Sequence, residues 1–395
     1  MVSGRKEPQQ LSKLKTSLFA GIAVITSLLV LLPLLELAVR AIGLEPLHKN
    51  RYTKYDPMMG YVGAPGEHQF LRLDSPDTVK NVFNSSGFIS TEFTTPVDHD
   101  ENRIILLGDS FVATAFLPIE ESFAAILETQ LEAVGDHRSK VFNLAMGGYG
   151  TDQEIMAYQE FAESIGPDIV VLFFYLNDFR DNMVLSNQTP PYYSIEDNRV
   201  LSHLPSRGSW THLKFYLLGH SALYYRLHRV WEKVERRISA EKAPLTYRSV
   251  EQRLFKDSPD PGIEMEWARV KERLAGWAEL VRKGNVSPVL AYIPSRDQIN
   301  VSGTYKKISI PFSRDNRVQR RLRRISQDVG CTFIDFTPPF LSMEGQGKRL
   351  YYLDDPHWNV TGIQAAVAYL VNRMNGSTVP LESNTAFQHP KLDTF

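Results

Sequence analysis

Three rhythms of apolar and polar residues succeed one another along this chain. Thr16 to Leu35, TSLFAGIAVITSLLVLLPLL, is an apolar block without a charged residue. From about residue 41 to residue 100, short apolar pieces such as GYVG and HQFLRL stand among Gly, Pro, Asp and Asn, which predicts turns and short strands. From Arg103 onward, short apolar runs alternate with stretches of helical spacing. RIILL, KVFNL, DIVVLFFYL, PVLAYI and CTFIDF predict five strands. DIVVLFFYL is apolar at successive positions, so helices are expected on both of its faces, as in a parallel sheet. SFAAILETQLEAV, EMEWARVKERLAGWAELVRK, RVQRRLRRISQDVG and TGIQAAVAYLVNRM predict helices. So does the stretch opened by T-D-Q-E at Thr151 to Glu154, a capping-box pattern, which should stop by Gly166-Pro167. The alternation predicts an α/β fold: a doubly wound, mainly parallel five-stranded sheet with right-handed crossovers. Ligands bind beyond the carboxyl ends of the strands in such sheets.

At about 1.5 Å per residue the first block spans roughly 30 Å, the hydrocarbon thickness of a bilayer. A cleavable signal peptide has a shorter apolar core followed by small residues, whereas Glu36, Leu37 and Arg40 follow here. The block is therefore read as a single transmembrane anchor over residues 16–40 after a cytoplasmic tail, 1–15, ahead of a cleaved signal or a buried helix. Basic residues flank it on both sides, Arg5, Lys6, Lys13 and Lys15 before, Arg40, Lys49, Arg51 and Lys54 after. The positive-inside rule thus gives only a weak preference, and the large part is expected outside the cytoplasm. Residues 41–100 form a lead-in of turns and short strands, 101–376 the core domain, and 377–395 a polar tail. A helical insertion at about 183–260, containing WTHLKFYLLGHSALYYRLHRVWEKVERR, breaks the rhythm between the third and fourth strands. Lys, His and Arg interrupt it too often for a span. It reads as a helix packed on the domain's side, a lid, or a membrane-surface helix.

Composition narrows the partners. Lys+Arg 44 against Asp+Glu 45 leaves a formal net charge of -1, which argues against nucleic acid. Cys331 is the single cysteine, so no intramolecular disulfide framework exists, and the compartment stays open. Around His357, Asp354 and Asp355, no third imidazole or thiolate lies at ligand spacing, so neither metal nor cofactor is expected.

The chemistry collects just past the strand ends. Gly108, Asp109 and Ser110 follow the first strand, Asn143 and AMGGYG the second, Asn177 and Asp178 the third, and Asp354 and His357 the fifth. Each alone is ordinary turn or cap chemistry. Together, and in this order, they suit acyl transfer. A serine hydroxyl needs a neighbouring base, and the His357 imidazole can supply it. A carboxylate must fix that ring's tautomer, and Asp354, three residues earlier, can turn back onto it. An oxyanion needs donors already in place, for which the N–H of Ser110, the N–H of Gly148 and the Asn177 amide are candidates. Glycine suits the second position because the backbone must approach the substrate without a Cβ.

The blocks GDSF, NLAMGGYGTDQ, LND and DDPHWN resemble, in order, those of the SGNH hydrolases, the GDSL esterase/lipase superfamily. The resemblance covers roughly Ile104 to Met374. It implies a flavodoxin-like sheet of SGNH-hydrolase type, Ser110 as nucleophile, His357 as base and Asp354 as orienting acid. Spacing from Asn143 matches the oxyanion glycine to Gly148, with Gly147 as the fallback. Tyr175 stands where the family usually has a glycine. The implied function is a membrane-anchored serine esterase working through an acyl-enzyme, with an ester substrate such as an O-acylated envelope glycan. Two alternatives stand beside it. One is an O-acyltransferase of exopolysaccharide or cell-wall glycan with the same triad, since His-Trp-Asn resembles the last block of exopolysaccharide acetylation proteins. The other is a non-catalytic envelope binding module.

Overall fold

All five apolar runs pair into one parallel sheet. The structure, a computed structural model, describes residues 7–43, 52–93, 101–134, 138–182, 192–196, 199–203, 209–238, 253–255, 261–300, 303, 305 and 316–375. The strands are β1 (Glu101–Leu107), β2 (Arg138–Asn143), β3 (Ile169–Phe174), β4 (Ser287–Tyr292) and β5 (Thr332–Asp335). Their spatial order is β2-β1-β3-β4-β5, and every pairing is parallel. This is the flavodoxin-like order, whose reversal between β1 and β3 opens a crevice at the carboxyl ends. In register, Leu106 of β1 pairs with Asn143 on one side and Val171 on the other.

The described helices are α1 (Glu7–Ala41), α2 (Phe123–Val134), α3 (Thr151–Ile165), α4 (Ser209–His220), α5 (Ala222–Ile238), α6 (Pro261–Lys283), α7 (Arg317–Val329) and α8 (Val360–Asn375), with several shorter turns. Side chains alternate across the sheet because the strand period is two. Ile104, Leu106, Val141, Val171, Phe173, Val289, Ala291 and Ile334 share one core with Phe123, Leu127 and Leu131 of α2 and with Ile363, Ala366 and Leu370 of α8. The intervening Ile105, Leu107, Phe142, Val170, Leu172, Phe174, Leu290 and Tyr292 are buried as well. Their cover comes from α3 and α6, which pack on β1 and β4. Both faces are thus dry, which is why the central run DIVVLFFYL carries no polar alternation.

Two local expectations shift. Helix α3 takes Gly150, not Thr151, as its N-cap, and Gln153 Oε1 accepts from the Gly150 N–H at 3.4 Å. Glu154, read as a capping carboxylate, is fully buried instead. A further helix, Thr337–Gly345, lies between β5 and the His357 loop. Its two prolines at the start and weak apolar periodicity hid it from sequence reading.

The chain forms two compact units, residues 1–55 with 207–243, and residues 56–206 with 244–395. The second holds the sheet and an antiparallel hairpin, Gly66–Leu71 with Thr78–Phe83. The first holds α1, in which Lys15–Ala41 is long and apolar enough to cross a membrane.

Candidate active site

Ser110 begins a one-turn helix, Ser110–Ala113, directly after β1. The turn into it needs Gly108, because a Cβ there would meet Val112 Cγ2 at 2.9 Å. Asp109 caps the turn, its Oδ1 accepting from the Phe111 N–H at 2.9 Å. Its Oδ2 accepts from Asn177 Nδ2 at 2.7 Å, tying the end of β1 to the turn after β3. Burial pushes the Asp109 carboxyl up, against the Phe111 N–H, the His357 charge and the Asn177 amide.

His357 arrives from a loop 247 residues away, and its Nε2 stands 2.7 Å from Ser110 Oγ. Its neighbour secures that meeting. Trp358 is fully buried, and its Nε1 donates to the Phe111 carbonyl at 2.6 Å. Adjacent residues on the two segments are thus clipped together twice. The Phe111 and Phe116 rings lie 4.8 and 5.2 Å from the imidazole and wall its sides.

The carboxylate on the ring is a correction to the sequence reading: it belongs to Asp355, not Asp354. Asp355 Oδ1 lies 2.5 Å from His357 Nδ1 and also accepts from the His357 N–H at 2.9 Å. This is an Asx turn, a carboxylate bonding the backbone two residues on, with Pro356 fixing φ between them. That closure puts the i−2 carboxylate beside the imidazole and leaves Asp354 exposed. Arg296 holds the loop from below, its Nη1 donating to the carbonyls of Tyr352, Leu353 and Asp355 at 3.2, 2.8 and 3.2 Å. Burial works to raise the Asp355 carboxyl. Its hydrogen bond to the ring, that ring's charge and the His357 N–H outweigh it and hold the group below its ordinary value.

At the end of β2, Asn143 is structural. Its Nδ2 donates to the Val112 carbonyl at 3.0 Å and its Oδ1 accepts from the Ala145 N–H at 3.1 Å, which holds the glycine turn beside the Ser110 helix. Gly147 faces Ser110, since a Cβ on it would lie 3.8 Å from Ser110 Cβ. Gly148, exposed, adopts φ +83°, a conformation that favours glycine. The Gly147 carbonyl accepts from the Tyr61 hydroxyl at 2.9 Å, and the Tyr149 hydroxyl donates to the Tyr61 carbonyl at 2.6 Å. Burial, with the charges of Asp181 and Asp109, pushes the Tyr61 phenol well up, so it keeps its proton. Tyr175, in the family's glycine position, is buried with its ring 4.3 Å from that of Phe111.

Sequence reading missed Asp355, Tyr61, Arg296 and Trp358. The i−2 spacing was a signal for the first. Tyr61 had none, lying 86 residues from its partner in a segment read as a lead-in.

Residues 247–392 match a family profile described as an SGNH hydrolase-like domain, acetyltransferase AlgX. The match takes in Asp355 and His357 and leaves Ser110, Gly148 and Asn177 before it. Among solved structures, the psychrotrophic esterase EstA from Pseudoalteromonas sp. is similar at 13% identity, over 70% of this chain and 97% of that one, with a TM-score of 0.38. The acetyl xylan esterase AlAXEase is similar at 13% identity over 69% and 98%, TM-score 0.38. A catalytic mutant of Axe2, an acetylxylan esterase from Geobacillus stearothermophilus, is similar at 11% identity over 69% and 94%, TM-score 0.39. No curated protein matches. Residues 247–392 thus resemble an SGNH hydrolase-like domain, and the same unit brings Ser110 and His357 together at the rim of a β2-β1-β3-β4-β5 sheet.

Proposed function

We propose that this chain is a membrane-anchored serine esterase whose core domain, residues 101–376, faces away from the cytoplasm and attacks acyl esters through Ser110. The observation that carries the reading is the contact of Ser110 Oγ with His357 Nε2 at 2.7 Å, backed by Asp355 on the other ring nitrogen. His357 takes the hydroxyl proton as Ser110 Oγ adds to the ester carbonyl. Asp355 holds the tautomer and stabilises the imidazolium. The oxyanion is met by the N–H of Ser110, the N–H of Gly148 and Asn177 Nδ2. An amide nitrogen carries two N–H groups; Asp109 takes one, and the oxyanion is assigned the other. The Gly147 carbonyl and the Gly148 N–H belong to one planar peptide and point opposite ways. Tyr61, by bonding the carbonyl, aims the N–H. The alcohol leaves with the proton from His357, and water activated by the same ring then releases the acid.

The acetyltransferase description of the matched profile favours a second reading, in which a sugar hydroxyl of an envelope glycan, not water, resolves the acyl-enzyme. Free acetate release set against label transfer to a glycan acceptor separates the two.

The triad is tested by two neighbouring substitutions. Asp355→Asn should lower kcat by up to about 10⁴-fold through the wrong tautomer, while Asp354→Asn should change it little. A fluorophosphonate probe should label wild type and not Ser110→Ala. Equal labelling of Ser110→Ala would end the esterase reading, and a larger loss in Asp354→Asn than in Asp355→Asn would return the orienting role to Asp354.

A further inference from the structure

Helices α4 and α5 follow each other with only Ser221 between them, and both are fastened to the C-terminal end of α1. Glu36 of α1 accepts from Ser221 Oγ at 2.8 Å, from the Ala222 N–H at 2.8 Å and from the Leu223 N–H at 2.9 Å. It thereby caps the start of α5, satisfying two N–H groups that have no partner inside that helix. Arg40, one turn on, donates Nη2 to the His220 carbonyl at 2.6 Å and Nε to Glu36 at 2.7 Å, closing the end of α4. Each charge opposes the matching end of a helix dipole. These bonds set the height of the hairpin. Rising about 1.5 Å per residue from Lys15, α1 reaches Glu36 after roughly 30 Å, one hydrocarbon thickness.

Large apolar side chains stand exposed on both helices of the hairpin. Leu227, Val230, Trp231 and Val234 repeat at i, i+3, i+4 and i+7, a single stripe of α5, and are 59, 59, 64 and 41% exposed. Arg226, Arg229 and Lys233 run beside it. On α4, Trp210 is 77% and Tyr216 59% exposed. A globular domain turns such a stripe inward.

We propose that the α4–α5 hairpin lies on the membrane that α1 crosses, with the Leu227–Val234 stripe sunk at the headgroup–acyl boundary and the flanking cations on lipid phosphates. The proposal rests on α1 being a span. Lipid is the occupant because the bonds to Glu36 and Arg40 hold the stripe at interface depth, where tryptophan and tyrosine concentrate and basic amphipathic helices settle.

The chain's tryptophans make the test direct. Of its five, Trp267, Trp277 and Trp358 are buried, while Trp210 and Trp231 lie on the hairpin, and α1 has none. The full chain is reconstituted in phosphatidylcholine–phosphatidylglycerol vesicles whose acyl chains are brominated near the headgroup. Wild-type fluorescence should be quenched several-fold more than that of Trp210→Phe/Trp231→Phe, with both still labelled by fluorophosphonate. Val230→Asp, which keeps every tryptophan, should likewise lose most of the quenching. A chain that resists alkaline carbonate yet is quenched no more than the double variant overturns the hairpin proposal. Extraction by carbonate overturns the span reading, and the hairpin proposal with it.

Discussion

In the proposed oxyanion hole, which depends on a fixed Gly148 N–H, two glycines in sequence are the weak point. The Gly147–Gly148 peptide can rotate at little steric cost because neither neighbour has a Cβ, and the Tyr61 hydroxyl is bonded to its carbonyl. Tyr61→Phe removes that bond and keeps the ring, which sits edge-on to Tyr149 at 5.3 Å. Losing an oxyanion donor outright costs about 10²–10³ in rate, and a donor that only wavers should cost roughly tenfold. The loss should fall on kcat with KM unchanged and with wild-type thermal stability, since the donor acts on the transition state. A fall in Tm with kcat intact would make Tyr61 a packing residue. At this scale the sequence was legible where chemistry is concentrated in neighbouring letters. GDSF and DDPHWN exposed Ser110 and His357, which the fold brings together. It was illegible where a choice is made in three dimensions. Asp354 and Asp355 are the same residue type, and only closure of the Pro356 turn decides which reaches the ring.

Helix α3 shows what sequence periodicity conceals at the next scale. Its first turn carries T-D-Q-E, which reads as a capping box, yet Thr151, Asp152, Gln153 and Glu154 are all buried. Asp152 receives a two-pronged bond from Arg273 of α6, at 2.6 and 3.0 Å, a pairing invisible from either helix alone. Burial pushes the Asp152 carboxyl up, and the guanidinium opposes that rise. Both carboxyl oxygens of Glu154 are buried without a hydrogen-bond partner among the described residues. Burial, reinforced by the charges of Asp178, Asp109, Asp181 and Asp152, drives its pKa well above the ordinary 4.5. Unfolded, Glu154 ionises near its ordinary value; folded, it keeps its proton far longer. The folded state therefore binds more protons across that window, and stability falls as pH rises from about 4.5 toward the folded value. Glu154→Gln, which cannot ionise, should flatten that decline and raise Tm at neutral pH, as thermal melts across the pH range would register. Parallel slopes for both proteins would mean that Glu154 is ionised in the fold. The strands, by contrast, were legible to within a residue or two. DIVVLFFYL holds β3, because a run without polar alternation is stable only when covered on both sides, and CTFIDF holds the edge strand β5.

Sidedness decides what substrate the whole molecule can meet, and it was the part least legible in the sequence, because charges flank α1 at both ends. An envelope glycan requires the sheet to stand outside the cytoplasm. The chain carries its own reporter, Cys331, between α7 and β5. The thiol is partly exposed, and burial pushes its pKa up against the Ser326 hydrogen bond and the Arg282 charge. The thiolate is the form that reacts, so a maleimide will label slowly at neutral pH and faster as pH rises. With a membrane-impermeant maleimide at mildly alkaline pH, Cys331 in intact spheroplasts should label at the rate found after permeabilisation. Labelling that waits for permeabilisation would put Ser110 in the cytoplasm and leave the envelope glycan out of its reach. The comparison of rates, not of final extents, is what discriminates, since a half-buried thiol is slow on either side of the membrane and only access differs.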